Sequence, residues 1–276
     1  MKKLVLIGAA ILAIGATAPA RAADMPVKAV PLVVYSWTGL YVGGNVGYSW
    51  GKSDTDVGYF NATTGAAIVA PAGSITSASF DIDGWLAGLQ AGYNWQNGRW
   101  VLGIEADFQW TGQKGDANFL CAAAANALAC LPGATFLPAG TTGAALSIEQ
   151  KLQWFGTLRG RLGYTLTPTW LAYVTGGLAV GNIKTNAALT GTTAAAPPVT
   201  STATASSSET NAGWVIGFGF EGVLTGRWTV KAEYLYMDLG SVSGSVTNTA
   251  TNVRANYTSN ITDNIIRIGL NYKLTN

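Results

Sequence analysis

Hydrophobic and small or polar side chains take turns along most of this chain. In WTGLYVGGNVGYSWG, residues 37–51, Leu40, Val42, Val46, Tyr48 and Trp50 fall on one parity. Gly39, Gly43, Asn45, Gly47 and Ser49 fall on the other. A period of two marks an extended strand with one apolar face. The pattern recurs around Trp85–Trp95, Trp100–Trp110, Leu152–Tyr164, Trp170–Val180, Trp214–Leu224, Trp228–Tyr236 and Ile266–Leu274. Eight strands are therefore predicted. The glycines of the first segment also invite a nucleotide-loop reading, which needs a following helix whose N-terminus faces the anion. The residues that follow, KSDTDVGYFNATTG, are polar and turn-rich, and no βαβ pattern surrounds them. The glycines belong to a strand.

The charged residues decide what the two faces meet. Within the eight segments they are Glu105, Asp107, Lys151, Arg159, Arg161, Glu221, Lys231, Glu233, Arg267 and Lys273, and all fall on the parity opposite the apolar set. A basic side chain at the midplane of a bilayer costs about 2–4 kcal/mol, so the uncharged face is the one expected to meet hydrocarbon. A soluble sandwich or lipocalin-type barrel also alternates, with its apolar face inside. Three features weigh against it. Tryptophans gather at the segment ends, with Trp95, Trp100, Trp170 and Trp228 beside short turns. Trp50, Trp85, Trp110, Trp154 and Trp214 lie at the other ends, as two interfacial girdles would. The connections alternate, short at 96–99, 165–169 and 225–227, long at about 51–84, 111–150, 182–212 and 238–264. The polar face carries both signs of charge, as an internally paired interior would.

The expected fold class is thus all-β, an eight-stranded antiparallel up-and-down barrel that spans a membrane. Such a barrel is just wide enough to be filled by side chains. Gly39, Gly43, Gly47, Gly88, Gly92, Gly217, Gly219 and Gly269 share the inward parity and are read as room for the arginines and lysines. The expected interior charge network is Glu105, Asp107, Arg159, Arg161, Glu221, Lys231, Glu233, Arg267 and Lys273.

Composition changes the picture in two ways. The opening MKKLVLIGAAILAIGATAPARA has a basic start, a short apolar core and a small-x-small site, and reads as a secretory signal over 1–22. A segment over 23–36 then leads to the barrel at 37–276. Without Lys2, Lys3 and Arg21 the sixteen basic residues fall to thirteen against fourteen acidic, so no basic surface for nucleic acid is expected. Only 11% of residues are charged, yet past the signal no apolar run is long enough for a spanning helix. Strands remove that conflict. Cys121 and Cys130, in CAAAANALAC, read as a loop disulfide in an exported chain, with two free thiols as the alternative.

With WTGLYVGGNVGYSWG, ADMPVKA before it, YNWQNGRWVLGIEADFQW and the closing IIRIGLNYKL on the page, the chain resembles the small outer-membrane immunogenic protein family. The resemblance covers about 37–276. It implies an eight-stranded outer-membrane barrel, porin-like or opacity-type, with termini in the periplasm and long loops outside. It also implies insertion by the outer-membrane assembly machinery, with Arg267, Gly269, Tyr272 and Leu274 as the recognition signal. Family members usually finish on phenylalanine, where this chain has Leu274-Thr275-Asn276. Some members are described as haem-binding. With no histidine in the chain, a haem iron would fall to tyrosine or methionine, and Tyr59 and Tyr257 are candidates by loop position.

Four readings of function follow. An enzyme is disfavoured, because no histidine is present to serve as base and the carboxylate pairs Glu105–Asp107 and Glu221–Glu233 have interior cations to pair with. A narrow ion path remains open, although eight strands leave little lumen. Surface binding through the loops meets a composition, TNAALTGTTAAAPPVTSTATASSSET, that reads as flexible, and Asp54, Asp56, Asp81 and Asp83 read as solvated rather than as a cation site. The favoured reading is a structural barrel that contributes to outer-membrane integrity and presents its loops. Its expected partners are outer-membrane lipid and lipopolysaccharide and the assembly machinery, with no nucleic acid, no cofactor and a monomeric state.

Overall fold

A computed structural model describes residues 35–68, 76–124, 127–132, 143–192 and 199–275. The expected signal over 1–22 and most of the segment 23–36 lie outside the described residues. Among the described residues nine strands follow one another: β1 (Gly39–Asn61), β2 (Ser77–Asn97), β3 (Trp100–Ala124), β4 (Ala127–Pro132), β5 (Gly143–Thr167), β6 (Trp170–Thr192), β7 (Thr200–Thr225), β8 (Trp228–Asn248) and β9 (Val253–Lys273). All pairings are antiparallel between chain neighbours, apart from β3 with β5 and β1 with β9, and β4 pairs only with the far end of β3. The eight long strands therefore form a closed ring in which no edge of the spanning band is left unpaired, the condition for crossing hydrocarbon with strands.

Outward-facing side chains form the apolar band that the parity predicts. Val46, Leu89, Leu102, Val174, Leu178, Ile216 and Ile268 are exposed on the outer wall, Leu178 by 65%. Two-residue turns close one end: Gly98-Arg99, Pro168-Thr169 and Gly226-Arg227, with Gly98 and Gly226 at positive φ. Trp95, Trp100, Trp170 and Trp228 ring the wall just above these turns, and Trp50, Trp85, Trp110 and Trp214 ring the opposite border, all exposed. Trp154 joins the second ring, stacked on Phe108 with centroids 5.5 Å apart.

The ranges expected as long loops are instead occupied largely by continuing strand. Each of the eight runs for 21 to 26 residues, about twice what hydrocarbon requires. Beyond the second tryptophan ring the polarity of the two faces inverts. On β1 the outward residues become Lys52, Asp54 and Asp56, while Val57 and Tyr59 turn inward and are buried. On β9 the outward Thr258, Asn260 and Thr262 stand opposite inward Tyr257 and Ile261. The far part of the ring is thus built like a soluble barrel, with a core of Phe119, Leu146, Ile148, Leu189, Val246 and Tyr257. Even in the stretch read as flexible the described residues are paired, Thr190 with Thr202 and Asn186 with Ser206, while Ala203 and Ala205 pack against the core. Threonine favours the pleated surface and alanine fits the narrow interior.

Three irregularities sit near this inversion, between Trp110 and Gln113, between Leu152 and Trp154, and between Asp238 and Ser241. The second corrects the expected parity of β5. Leu152, read as lipid-facing, is buried with Phe155, and Lys151, read as interior, lies outside against Glu149 at 2.6 Å. A bulge adds one residue to one strand and exchanges its faces beyond that point. Gly240, at φ 70°, provides the left-handed residue of the third and donates its N–H to Asp238 Oδ1 at 2.8 Å.

The inversion makes opposite predictions for outward positions on one strand. Ile268→Arg, in the middle of the apolar band, is expected to lower the stability of the protein refolded in lipid vesicles by about 2–4 kcal/mol. Asn260→Arg, on the same strand above the second ring, is expected to stay within about 0.5 kcal/mol of the parent. Urea titrations followed by tryptophan fluorescence check both.

Candidate functional site

Strand register builds the chemistry of the interior. Glu105 on β3 lies directly opposite Arg159 on β5, and Glu233 on β8 opposite Arg267 on β9. All face inward by the alternation of their strands. Arg159 Nη2 donates to Glu105 Oε1 at 2.5 Å and Asp107 Oδ2 at 2.7 Å, and its Nη1 to Glu233 Oε1 at 3.0 Å. Arg267 closes the ring from the other side, Nε to Glu233 Oε2 at 2.7 Å and Nη2 to Asp107 Oδ2 at 3.1 Å. Lys231 donates to both oxygens of Glu105, at 2.7 and 2.9 Å. One continuous network thus joins four strands of the barrel wall, β3, β5, β8 and β9, through Glu105, Asp107, Arg159, Lys231, Glu233 and Arg267.

A second cluster sits nearer the short-turn end. Arg161 is bonded to Glu221 and lies over the Tyr173 ring, 3.6 Å from its centroid. Glu221 also accepts from Thr229 at 2.6 Å and Asn271 at 2.9 Å. Tyr41 bridges the clusters, donating to Glu105 Oε2 at 2.7 Å and accepting from Arg161 at 3.4 Å. Four cations stand against four carboxylates, all nearly inaccessible to solvent. Isolated charges at such burial are prohibitive, and mutual pairing with further hydrogen bonds is what makes the layer tolerable.

Lys273 belongs to neither cluster. Its Nζ donates to the Ser36 carbonyl at 2.5 Å and lies 5.2 Å from the Tyr35 ring, at the short-turn mouth. There Trp37 is buried with Val101, Leu171 and Tyr173, and its backbone N–H donates to Gln96 Oε1 at 2.7 Å. Of the expected assembly signal, Arg267 and Gly269 face inward, whereas Tyr272 and Leu274 lie on the outer wall. The register sets Cys121 opposite Cys130 across β3 and β4, but their side chains lie outside the described residues.

Several residues that matter were not read from the sequence. Tyr41 and Tyr173 are aromatic residues on the polar parity, a signal present in the alternation. Each lies over a cross-strand glycine: a Cβ on Gly92 would sit 2.4 Å from the Tyr41 hydroxyl oxygen, and one on Gly219 2.5 Å from that of Tyr173. The inner glycines therefore seat tyrosines as well as basic side chains. Asp263 is a third omission, buried and bonded to Ser49 at 2.5 Å and Gln113 at 2.9 Å. Two loop candidates require correction. Tyr59 and Tyr257 are not loop residues but are buried in the far core, because their parity turns them inward. Asp54, Asp56, Asp81 and Asp83 all point outward, spread over β1 and β2, and no group of three metal-ligating side chains occurs among the described residues.

Comparison with known proteins follows the same lines. The family model of the outer membrane protein beta-barrel domain matches residues 8–273. The 31 kDa outer-membrane immunogenic protein of Brucella melitensis biotype 1 is 37% identical over 281 residues, covering 99% of this chain and 100% of that relative. The 25 kDa outer-membrane immunogenic protein of Brucella canis is 29% identical over 86% of this chain and 84% of its own length. Among solved structures, the outer membrane protein OprG from Pseudomonas aeruginosa aligns over 87% of this chain at 12% identity, with a TM-score of 0.46.

Removing one partner from the ion network leaves a buried charge without compensation. Arg159→Met leaves Glu105, Asp107 and Glu233 with only Lys231 and Arg267 to pair them, one buried charge short of balance, and is expected to destabilise the refolded protein by about 3–5 kcal/mol. Arg161→Met combined with Glu221→Gln is expected to lose less than the sum of the two single changes, since the double variant removes both charges. Urea midpoints in vesicles, with heat-dependent gel mobility as a test of folding, check the comparison.

Proposed function

The chain belongs to the outer membrane protein beta-barrel family, and on that premise we propose that it is a structural barrel of the outer membrane, closed to general solute passage. Its short turns and termini lie on the periplasmic side, and its long far end projects from the cell surface. One observation carries this reading: the interior is filled in successive layers. Trp37 occupies the short-turn mouth, the neutral ion layer lies above it, and an apolar layer of Leu152, Phe155, Leu235, Met237 and Ile265 follows. The far core of Tyr59, Phe119 and Ile148 completes the filling. Eight strands enclose little space, and here side chains take it. The carboxylates of the ion layer are held by cations and hydroxyls, which favours a non-enzymatic role. Insertion by the outer-membrane assembly machinery and a monomeric state fit a wall whose band is uniformly apolar.

A narrow ion path is the second reading, and a specific observation favours it. Along the inner wall at β1 and β9, hydroxyls and amides run past the level of the apolar layer. Ser49 meets Asp263, and Ser53 bonds Gln150 at 2.7 Å while Thr55 lies 2.8 Å from Ser259.

Conductance of the refolded protein in a planar bilayer separates the two. The expected outcome is a silent bilayer with insertion demonstrated by protease protection of the band. Reproducible current steps, altered in an Arg159→Ala, Arg161→Ala variant, would replace the structural reading with the channel.

A further inference from the structure

The outer wall above the second tryptophan ring carries a charge pattern that the fold itself does not require. Lys114 on β3 lies directly opposite Lys151 on β5, and Lys151 directly opposite Lys184 on β6. All three side chains point outward. Like charges in directly opposed positions destabilise a sheet, and here two such pairs join into a row of three. The carboxylates nearby offset it only in part. Lys151 reaches Glu149 at 2.6 Å. Asp83 faces Lys114 in register but already accepts from the Tyr48 hydroxyl. Asp116 and Glu149 face one another and form a like-charge pair of their own. Lys184 sits between Lys151 and Ser208, with no carboxylate in either opposed position.

The height of the row is as informative as its charge. Trp110 and Trp154, paired in register, mark the border of the apolar band immediately below. Lys114 is four residues beyond Trp110 and Lys151 three beyond Trp154, roughly 10–13 Å along a strand. Strand tilt of about 35–45° makes the vertical separation smaller. Lysine stems lean along apolar surface while the ammonium stays wet, which brings the three charges into the headgroup layer. Neighbouring strands are about 4.8 Å apart, so the row extends over about 10 Å.

We propose that the Lys114–Lys151–Lys184 row binds the phosphate groups of a phosphorylated glycolipid in the leaflet around the far end of the barrel. Three compact ammonium groups in line suit a headgroup that carries more than one phosphate, and such a ligand relieves the repulsion along the row. Assigning that leaflet to the outer face rests on the orientation proposed above; the binding chemistry does not.

The test uses the full chain refolded into phosphatidylcholine vesicles containing lipid A, the phosphorylated glycolipid supplied as probe. After extraction in mild detergent, native mass spectrometry counts the lipid retained as its concentration is varied. The Lys114→Gln, Lys151→Gln, Lys184→Gln variant is expected to bind on the order of 100-fold more weakly, about fivefold per lysine. Lys52→Gln is the control, because Lys52 is also outward on β1 but faces Asp81 and Thr262 rather than other lysines; it is expected to bind as the parent does. Equal retention by the triple variant, shown to be folded by its heat-dependent mobility, overturns the proposal. Displacement of the lipid by an equal concentration of inorganic phosphate would assign the row to a free anion and overturn the lipid. Protease added to intact cells reads orientation separately: long connections that stay protected would overturn the outer-leaflet assignment, with the vesicle result unchanged.

Discussion

A closed ring of eight strands leaves an interior that side chains must fill, and in this protein the filling is ionic where the wall is apolar. The outer face across the hydrocarbon band is uniformly hydrophobic, so the alternation of the strands places the remaining residues inside. Four cations and four carboxylates meet there at hydrogen-bond distance, with tyrosine and threonine hydroxyls taking further lone pairs. Every inner residue has to agree with that layer in size and in sign. Glycines opposite Tyr41 and Tyr173 satisfy the first requirement, and the register pairs Glu105–Arg159 and Glu233–Arg267 the second.

The same constraint explains why the strands do not stop at the membrane border. Once water replaces lipid outside, an apolar outer face has no advantage, and burial favours hydrophobic side chains inside. β1, β6 and β9 accomplish the exchange by changing which parity carries the apolar residues, and the register runs unbroken between β1 and β9 and between β6 and β7. β5 and β8 add irregular residues that turn the chain by one position. The ladder of backbone hydrogen bonds therefore continues far beyond the band, and a soluble-type core stands directly on an ionic one. The lysine row lies just past this transition, where outward charge first becomes affordable.

Function follows from the wall and its ends more than from a pocket. In the structural role proposed above, the hydrogen-bonded interior opposes solute flux, and the ordered far barrel carries a polar surface away from the apolar band. The inner face of β1, where Ser49, Ser53 and Thr55 meet Asp263, Gln150 and Ser259, carries polar groups past the apolar layer, and it is the place where a path for ions would have to run.

Parity along the sequence was enough to determine the eight spanning strands, the two tryptophan rings, the short turns and the inward set of charges, because a period of two reports sidedness directly. Glu105, Asp107, Arg159, Arg161, Glu221, Lys231, Glu233 and Arg267 were legible for that reason. What it misjudged lies past the band: the strands were ended where the hydrophobic phase reversed, Tyr59 and Tyr257 were placed in loops, and Leu152 and Lys151 were given the wrong faces. A reversal of phase looks the same in sequence as the end of a strand, since what changes is the solvent and not the backbone. Which carboxylate meets which cation, and which lysines stand side by side, was decided only by strand register, a property of pairing between segments that no single segment carries.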